Sequence, residues 1–249
     1  MTPVLLISGS SGIAEQTALL ANAYRVFVVG REEQECRSLS ARVKDSGWHA
    51  CDLRDECAVD RAFQACLDRF GKVDALFNVA GISGRRFGDG PVHECSLEGW
   101  ETTFSTNARS MFLLCRAATR HWLACGKEGA ILNMASVLAD WPDSIHFATH
   151  AYAASKGAVI SLTRAMASYY APHRIRVNAI SPALVRTPMS ARAQADAQVL
   201  EYVRRRQPLS EGMLEPCEIA KAALFLLGPD SRQITGQVLT VDGGWSVSG

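Results

Sequence analysis

The sequence predicts an α/β protein with a doubly wound parallel sheet of about seven strands and helices on both faces. Short apolar runs alternate with longer segments of helical periodicity along the whole chain. The runs are almost continuously apolar, which is typical of parallel strands buried on both sides. No linker, repeat or low-complexity segment interrupts the pattern, so we expect residues 1–249 to form one domain.

Each element follows from its local pattern. The predicted strands cover residues 4–8, 25–30, 48–53, 73–81, 129–136, 175–181 and 237–243. The predicted helices cover residues 12–23, 32–46, 56–70, 97–124, 150–171 and 216–227. Asp55 and Ser96 precede two of these helices and are predicted N-caps. Residues 82–95 are predicted to form a loop. Residues 182–214 are predicted to be irregular with short helical pieces, and therefore to be a substrate lid.

Composition excludes several classes of function. The chain is 48% hydrophobic and 20% charged, with a formal net charge of +1, so no nucleic-acid or membrane partner is indicated. Its eight cysteines form no C-x-x-C pair, which favours a reducing, cytoplasmic location. His121 and Cys125 are a single pair four residues apart, so no metal site is predicted. No signal-peptide pattern and no apolar run of about 18 residues is present.

Tyr152 and Lys156 lie four residues apart in a predicted helix, and therefore on one face of it. An isolated tyrosine ionises near pH ~10, so proton transfer near neutrality requires a pKa lowered by roughly 3 units, or about 4 kcal/mol. A positive charge ~4 Å away at an effective dielectric of ~20 supplies energy of that order. The pair can therefore form a proton-transfer group. Alone, it is equally a surface tyrosine beside a solvated lysine.

The first strand runs directly into a glycine-rich turn, SGSSGIAEQ, and then a helix. Such a turn exposes backbone N–H groups at a helix N-terminus and attracts a pyrophosphate.

Eight segments in order carry a family resemblance. They are SGSSGIA (8–14), CDL (51–53), NVAG (78–81), Asn107, Ser136, the Tyr152/Lys156 pair, NAISPALVRTP (178–188) and GQVLTVDGG (236–244). With these motifs the chain resembles the short-chain dehydrogenase/reductase family over nearly its whole length. The resemblance implies a Rossmann fold and reversible hydride transfer between a nicotinamide cofactor and a secondary alcohol or ketone.

The resemblance also assigns roles to individual residues. Tyr152 is the implied general acid/base, and Lys156 lowers its pKa and binds the nicotinamide ribose. Ser136 donates a hydrogen bond to the substrate oxygen, and Asn107 interrupts its helix and holds a proton-relaying water. The implied cofactor contacts are Gly9, Ser11, Gly12, Ile13, Arg31, Asp52, Leu53, Asn78, Ala80, Gly81, Tyr152, Lys156, Pro182, Val185 and Thr187.

The glycine turn departs from the family pattern in one of two ways. Either Gly9 is the first glycine and the turn is one residue short, or Ser8 replaces that glycine. In both cases Ala14 replaces the last glycine. Val79 and Ala183 also stand where the family has asparagine and glycine.

The second strand ends at Gly30 and Arg31, without the acidic residue that selects NAD. The Arg31 guanidinium can pair with a 2′-phosphate, so NADP(H) is favoured and NAD(H) remains possible. Glu32 and Glu33 follow directly and can neutralise Arg31, and a solvated loop arginine is the alternative.

The substrate pocket is expected to involve residues 82–95, 137–150 and 182–214. Its candidate lining residues are Leu138, Trp141, His146, His150 and Met189. His150 can instead cap its helix. Arg85 and Arg86 can meet an anionic substrate or be solvated. The resemblance implies a homodimer or homotetramer formed through helices 97–124 and 150–171. A catalytically weak nucleotide-sensing protein on the same fold is the alternative function.

Overall fold

The computed structural model describes residues 2–248 and centres on one seven-stranded sheet. The strands are β1 Val4–Ser8, β2 Arg25–Gly30, β3 Ser46–Ala50, β4 Ala75–Asn78, β5 Gly129–Met134, β6 Ile175–Pro182 and β7 Val238–Val241. Their order is β3-β2-β1-β4-β5-β6-β7, and every neighbouring pair is parallel. The predicted doubly wound α/β class is confirmed.

Nine α-helices are present within the described residues. They are α1 Ile13–Leu20, α2 Glu33–Ala41, α3 Glu56–Phe70, α4 Leu97–Phe104, α5 Ser110–Cys125, α6 His150–Tyr170, α7 Ala191–Gln194, α8 Ala197–Arg206 and α9 Pro216–Leu227. Helices α3, α5 and α6 pack on one face of the sheet, and α1, α2 and α9 on the other. Alternating side chains of β1 supply both faces, since Leu6 joins the first core and Leu5 and Ile7 the second.

Most predicted elements are present with shifted ends, and four need correction. The helix predicted over 32–46 ends at Ala41, and the strand predicted over 73–81 spans Ala75–Asn78. The third strand ends at Ala50, three residues before its predicted end, because it stops pairing where β2 ends at Gly30. The helix predicted over 97–124 is divided by a π-helical turn, Ser105–Arg109, between α4 and α5. Asp55 and Ser96 are N-caps as predicted, and each accepts a backbone N–H of its helix.

The strand order reverses between β1 and β4. The chain moves outward from β1 to β3, and then returns to add β4 to β7 on the other side. In such sheets the crevice at the carboxyl ends of the strands beside the reversal is where ligands bind. Ser8 and Asn78 are paired at these ends, so the glycine turn and the NVAG segment are adjacent.

Within residues 2–248, no helix combines the length and the apolarity needed to cross a bilayer.

Candidate active site

A cleft of about 910 Å³ opens at the carboxyl ends of the strands. Most of the predicted site residues line it. They are Gly9, Ser11, Gly12, Ile13, Arg31, Leu53, Ala80, Gly81, Ser136, Tyr152, Lys156, Pro182, Val185 and Thr187. Asp52, Asn78 and Asn107 do not line it. The fold therefore gathers segments from the whole chain around one crevice.

The glycine turn forms one end of the cleft. Gly9 directly follows β1 with φ +104°, and Gly12 precedes α1 with φ +58°, conformations that favour glycine. Ser8 ends the strand, and its hydroxyl accepts the backbone N–H of Val79. The positive φ of Gly9 directly after the strand favours the alternative in which Gly9 is the first glycine and the turn is one residue short.

The close packing of this turn requires its glycines. A Cβ on Gly12 would lie 2.9 Å from Thr187 Cγ2, and one on Gly9 would lie 3.3 Å from the Cβ of Ala14. No side chain caps the N-terminus of α1. Backbone N–H groups of its first turn therefore remain available to an anion in the cleft.

Tyr152 and Lys156 lie together deeper in the cleft, on the first turns of α6. Lys156 Nζ lies 5.7 Å from the centre of the Tyr152 ring and donates a hydrogen bond of 2.7 Å to the Met134 carbonyl. Ser136 follows β5, and its hydroxyl is close enough to Tyr152 to act on the phenol by hydrogen bonding. The predicted serine, tyrosine and lysine are therefore neighbours.

Burial dominates the ionisation of this group. It raises the pKa of the Tyr152 phenol, and the hydrogen bond with Ser136 opposes that rise. Burial lowers the pKa of Lys156 to about 8, so its amine remains mostly protonated at neutral pH. The lowering of the tyrosine pKa predicted from the helical spacing is absent from this structure, in which the ammonium bonds the Met134 carbonyl.

Asn107 lies in the π-helical turn and is 2% exposed. Its Oδ1 accepts the Ile82 N–H at 2.8 Å, and its Nδ2 donates to the Ile82 carbonyl and to Ser155 Oγ. A Cβ on Gly81 would lie 3.0 Å from Asn107 Oδ1 and 3.6 Å from Lys156 Nζ. Asn107 thus fixes the loop after β4 directly beside the lysine.

Two predicted cofactor residues have side chains directed elsewhere. Asn78 donates to Asn133 Oδ1 at 2.9 Å within the core, beside Cys115. Asp52 accepts the Arg54 guanidinium at 2.6 Å, and this hydrogen bond lowers the pKa of the carboxyl. Direct cofactor contact from these two side chains is therefore not supported. Arg54, which sequence reasoning missed, lines the cleft instead.

Asp89, another residue missed from sequence, caps the helix that carries Tyr152. Its carboxylate accepts the backbone N–H of Ala151 at 3.0 Å and of Tyr152 at 2.9 Å, and it is 6% exposed. Thr149, the residue before α6, makes no side-chain cap. The cap comes from more than sixty residues away, so no local capping pattern reveals it.

The predicted lid is ordered by polar contacts. Asp143 accepts three backbone N–H groups of residues 145–147 and the Tyr202 hydroxyl at 2.5 Å, which joins the 137–150 segment to α8. Gln207 is fully buried and bonds both the N–H and the carbonyl of Leu184. Sequence reasoning missed both residues.

Of the candidate pocket residues, Leu138 and Met189 line the cleft, as do Arg85 and Arg86. Trp141, His146 and His150 do not line it. His150 accepts the Val92 N–H on Nδ1 at 2.9 Å, so it holds a loop at the start of α6 instead of facing a ligand.

The fold and the cleft together define a dinucleotide-dependent oxidoreductase, and comparison with known proteins gives its family. A family model described as enoyl-(acyl carrier protein) reductase matches residues 7–246. The chain is 33% identical to a 2-(R)-hydroxypropyl-CoM dehydrogenase of Xanthobacter autotrophicus, over 99% of both chains.

Solved structures agree. A 3-ketoacyl-(acyl-carrier-protein) reductase from Brucella melitensis complexed with NADH is 31% identical, with a TM-score of 0.86 over 98% of both chains. An actinorhodin polyketide ketoreductase variant with NADPH is 28% identical, with a TM-score of 0.87 over 99% of this chain and 98% of that one.

The chain belongs to the short-chain dehydrogenase/reductase family. It is a nicotinamide-dependent oxidoreductase of alcohols and ketones, and the nucleotide-sensing alternative is not favoured.

Proposed function

We propose that this enzyme interconverts a secondary alcohol and its ketone with a preference for NADP(H), using Tyr152, Lys156, Ser136 and Asn107. The observation that carries the proposal is the meeting of a half-buried phenol, a buried ammonium and a strand-end hydroxyl in one cleft. A bound nicotinamide cofactor would supply the hydride exchanged with the carbinol carbon.

Side chains of the protein would transfer the proton to and from the substrate oxygen. Tyr152 donates its phenolic proton to the carbonyl oxygen in reduction and accepts it in oxidation. Ser136 donates a hydrogen bond to the same oxygen as negative charge develops. Lys156 has donors beyond the one that bonds the Met134 carbonyl, so it can bond a ribose hydroxyl of the cofactor. Asn107, beside Gly81, is the proposed support of a proton-relaying water.

The glycine turn fits the diphosphate of the cofactor, because its uncapped helix N-terminus lines the cleft. Pro182, Val185 and Thr187 border the same cleft and are proposed to contact the carboxamide and diphosphate. Gly81 and Ala80 leave room beside the lysine, since any larger side chain at Gly81 would meet Asn107.

Two observations support NADP(H) over NAD(H). A Cβ on Gly30 would lie 2.9 Å from Cys36 Sγ, so an acidic residue that bonds the 2′-hydroxyl has little room there. Arg31 pairs with Glu32 at 2.7 Å with both side chains more than half exposed. Such a pair is worth little, so Arg31 can turn to a 2′-phosphate at small cost.

The Tyr152→Phe variant tests the mechanism, since it removes only the hydroxyl. We expect unchanged cofactor binding and a loss of turnover of at least about a hundredfold. The assay follows the NAD(P)H absorbance with a panel of alcohols and ketones. Full activity in this variant would refute the acid/base assignment.

The Arg31→Gln variant tests the cofactor preference. We expect it to weaken NADP(H) binding about tenfold or more while NAD(H) binding changes little. Arg37→Gln, an exposed change on α2 outside the cleft, is the matched control. Equal or tighter binding of NAD(H) by the unmodified enzyme would end the preference.

We also propose that residues 1–249 act as one domain, that residues 182–214 are its substrate lid, and that the chain forms a homodimer or homotetramer in the cytoplasm. Exposed apolar side chains on α4, α5 and α6, Trp100, Phe112 and Tyr169 among them, support the assembly. Eight free cysteines support a reducing compartment. Light scattering at micromolar concentration tests the assembly, and a monomer would contradict it.

A further inference from the structure

Two arginines from distant segments meet at one carbonyl oxygen at the edge of the cleft. Arg85 lies in a short 3₁₀ turn within the 82–95 loop, and Arg192 lies in α7 of the proposed lid. Arg85 Nη2 donates to the His146 carbonyl at 2.8 Å, and Arg192 Nη2 donates to the same oxygen at 2.9 Å. The two guanidinium groups are therefore neighbours, and both line the cleft.

Neither arginine forms a salt bridge among the described residues. Within residues 2–248, no carboxylate lies within salt-bridge distance of Arg85 or Arg192, although eight other arginine and lysine side chains have such partners. Asp89, the acidic side chain nearest in sequence to Arg85, is committed to capping α6. Burial, and next the charge of Arg192, lower the pKa of Arg85, and the charge of Asp89 opposes them in part. Placing two cations together is unfavourable, and a neutral side chain could equally hold the His146 carbonyl.

The remaining charges of the cleft do not compensate the pair. Among the described residues that line the cleft, Glu32 is the one acidic side chain. It pairs with Arg31, the residue proposed to bind the 2′-phosphate of NADP(H). Each guanidinium has five N–H donors, of which the His146 carbonyl uses one. Most donors of the pair thus remain free for an oxyanion in the cleft.

The position of the pair indicates the substrate and not the cofactor. Arg192 lies 5.9 Å from the ring of Phe147, which lines the cleft five positions before Tyr152. The three segments that meet at the His146 carbonyl are 82–95, 137–150 and 182–214, the segments proposed to form the substrate pocket. The diphosphate, by contrast, is proposed to bind at the glycine turn.

We propose that Arg85 and Arg192 form a subsite for an oxyanion, a carboxylate, sulfonate or phosphate, carried by the alcohol or ketone substrate away from the reacting carbon. This inference rests on the proposed function, because it assigns the substrate class of the same cleft.

A matched series of methyl ketones tests the subsite. Each ketone carries a terminal carboxylate, sulfonate or phosphate at a graded distance from the carbonyl, and is compared with its neutral amide, sulfonamide or phosphate triester. We expect the unmodified enzyme to prefer an anionic member in kcat/KM, and the preferred group identifies the oxyanion. Arg85→Gln and Arg192→Gln should each lower kcat/KM for that ketone about tenfold or more, with little change for the neutral partner.

Arg232→Gln is the control, because it removes the same charge from an exposed position between α9 and β7, outside this cleft. It should retain the anion preference. Equal use of charged and neutral ketones by the unmodified enzyme, or an anion preference that survives in the Arg85→Gln/Arg192→Gln double variant, would overturn the proposal. The proposal would also be overturned if the Arg85→Gln and Arg192→Gln variants lost NADP(H) affinity by the same factor as they lost kcat/KM for the anionic ketone. That result would assign the two arginines to cofactor binding.

A binding measurement separates this proposal from the proposed reaction. Calorimetric titration with propane-1-sulfonate, butanoate and propyl phosphate, in the presence of NADP⁺, needs no turnover. Binding of an anion that disappears in the double variant and persists in Arg232→Gln supports the subsite even if no ketone is reduced. Absence of binding by all three anions counts against the subsite, whereas activity on neutral ketones would leave the oxidoreductase assignment intact.

Discussion

The capping of α6 by Asp89 makes a quantitative prediction about stability and activity together. Replacing Asp89 by alanine leaves the N–H groups of Ala151 and Tyr152 without partners in a buried region. Loss of an N-cap costs about 1 kcal/mol, and an unsatisfied buried donor about 1–3 kcal/mol. We therefore expect the free energy of unfolding of Asp89→Ala to fall by about 2–4 kcal/mol, measured by urea denaturation.

The same change should slow the reaction, because the unsatisfied N–H belongs to Tyr152 itself. A small displacement of a reacting group can cost up to about a hundredfold in rate, so we expect kcat to fall at least about tenfold with a smaller change in cofactor KM. Asp55→Ala is the matched control, since Asp55 caps α3 through the Ala58 N–H, away from the cleft. It should lose about 1 kcal/mol and no activity. If Asp89→Ala behaved like this control in kcat, Asp89 would not position Tyr152.

Three further predictions concern pH and the glycine turn. Burial holds the pKa of Lys156 at about 8, below the value near ~10.4 in the unfolded chain, so the folded enzyme binds fewer protons than the unfolded chain between these pH values. The free energy of unfolding, relative to that of Lys156→Met, should therefore rise by roughly 3 kcal/mol from pH 8 to 10.5 when measured by urea denaturation. The pKa of Asp143 is lowered by its hydrogen bonds, so the stability advantage over Asp143→Asn should be constant above about pH 5 and be lost as the pH falls below about 3.9; a constant difference down to pH 2 would contradict this. Gly12→Ala should lower the free energy of unfolding by about 1–2 kcal/mol, and its clash with Thr187 should weaken cofactor binding in a titration. Gly71→Ala is the control, because Gly71 has φ +75° and no neighbour within 4 Å. It should lower the free energy of unfolding by a similar amount and leave cofactor affinity unchanged.

The sheet and the reacting group were predictable because both depend on short-range regularities. Seven apolar runs marked the strands, and a spacing of four residues put Tyr152 and Lys156 on one helix face. Ser136 was implied by the family resemblance, and it lies near the pair because parallel strands bring their carboxyl ends to one edge of the sheet. For the strands and for the Tyr152/Lys156 pair, the local sequence pattern and the topology of the sheet agree, so hydrophobic periodicity and helical spacing were sufficient to predict them.

The features that the sequence did not reveal depend on side-chain direction and on distant partners. Asn78 ends a strand as expected, but its amide points to Asn133 in the core. Asp52 is taken by Arg54, two residues on. The pKa of Tyr152 moves upward because burial of the phenol outweighs the Ser136 hydrogen bond, and burial is not visible in a spacing.

The π-helical turn between α4 and α5 also has a consequence for how such a site can arise or be lost. A π-turn holds one more residue than an α-turn, so it rotates everything beyond it by about 100° around the helix axis. Deleting a single residue from Ser105–Arg109 would restore an unbroken α-helix and rotate Asn107 around the helix axis relative to α5. The hydrogen bond from the Ile82 N–H to Asn107 would then be lost. The loss or gain of one codon at this turn would therefore convert between a continuous α-helix and a helix whose π-turn places Asn107 beside the cleft.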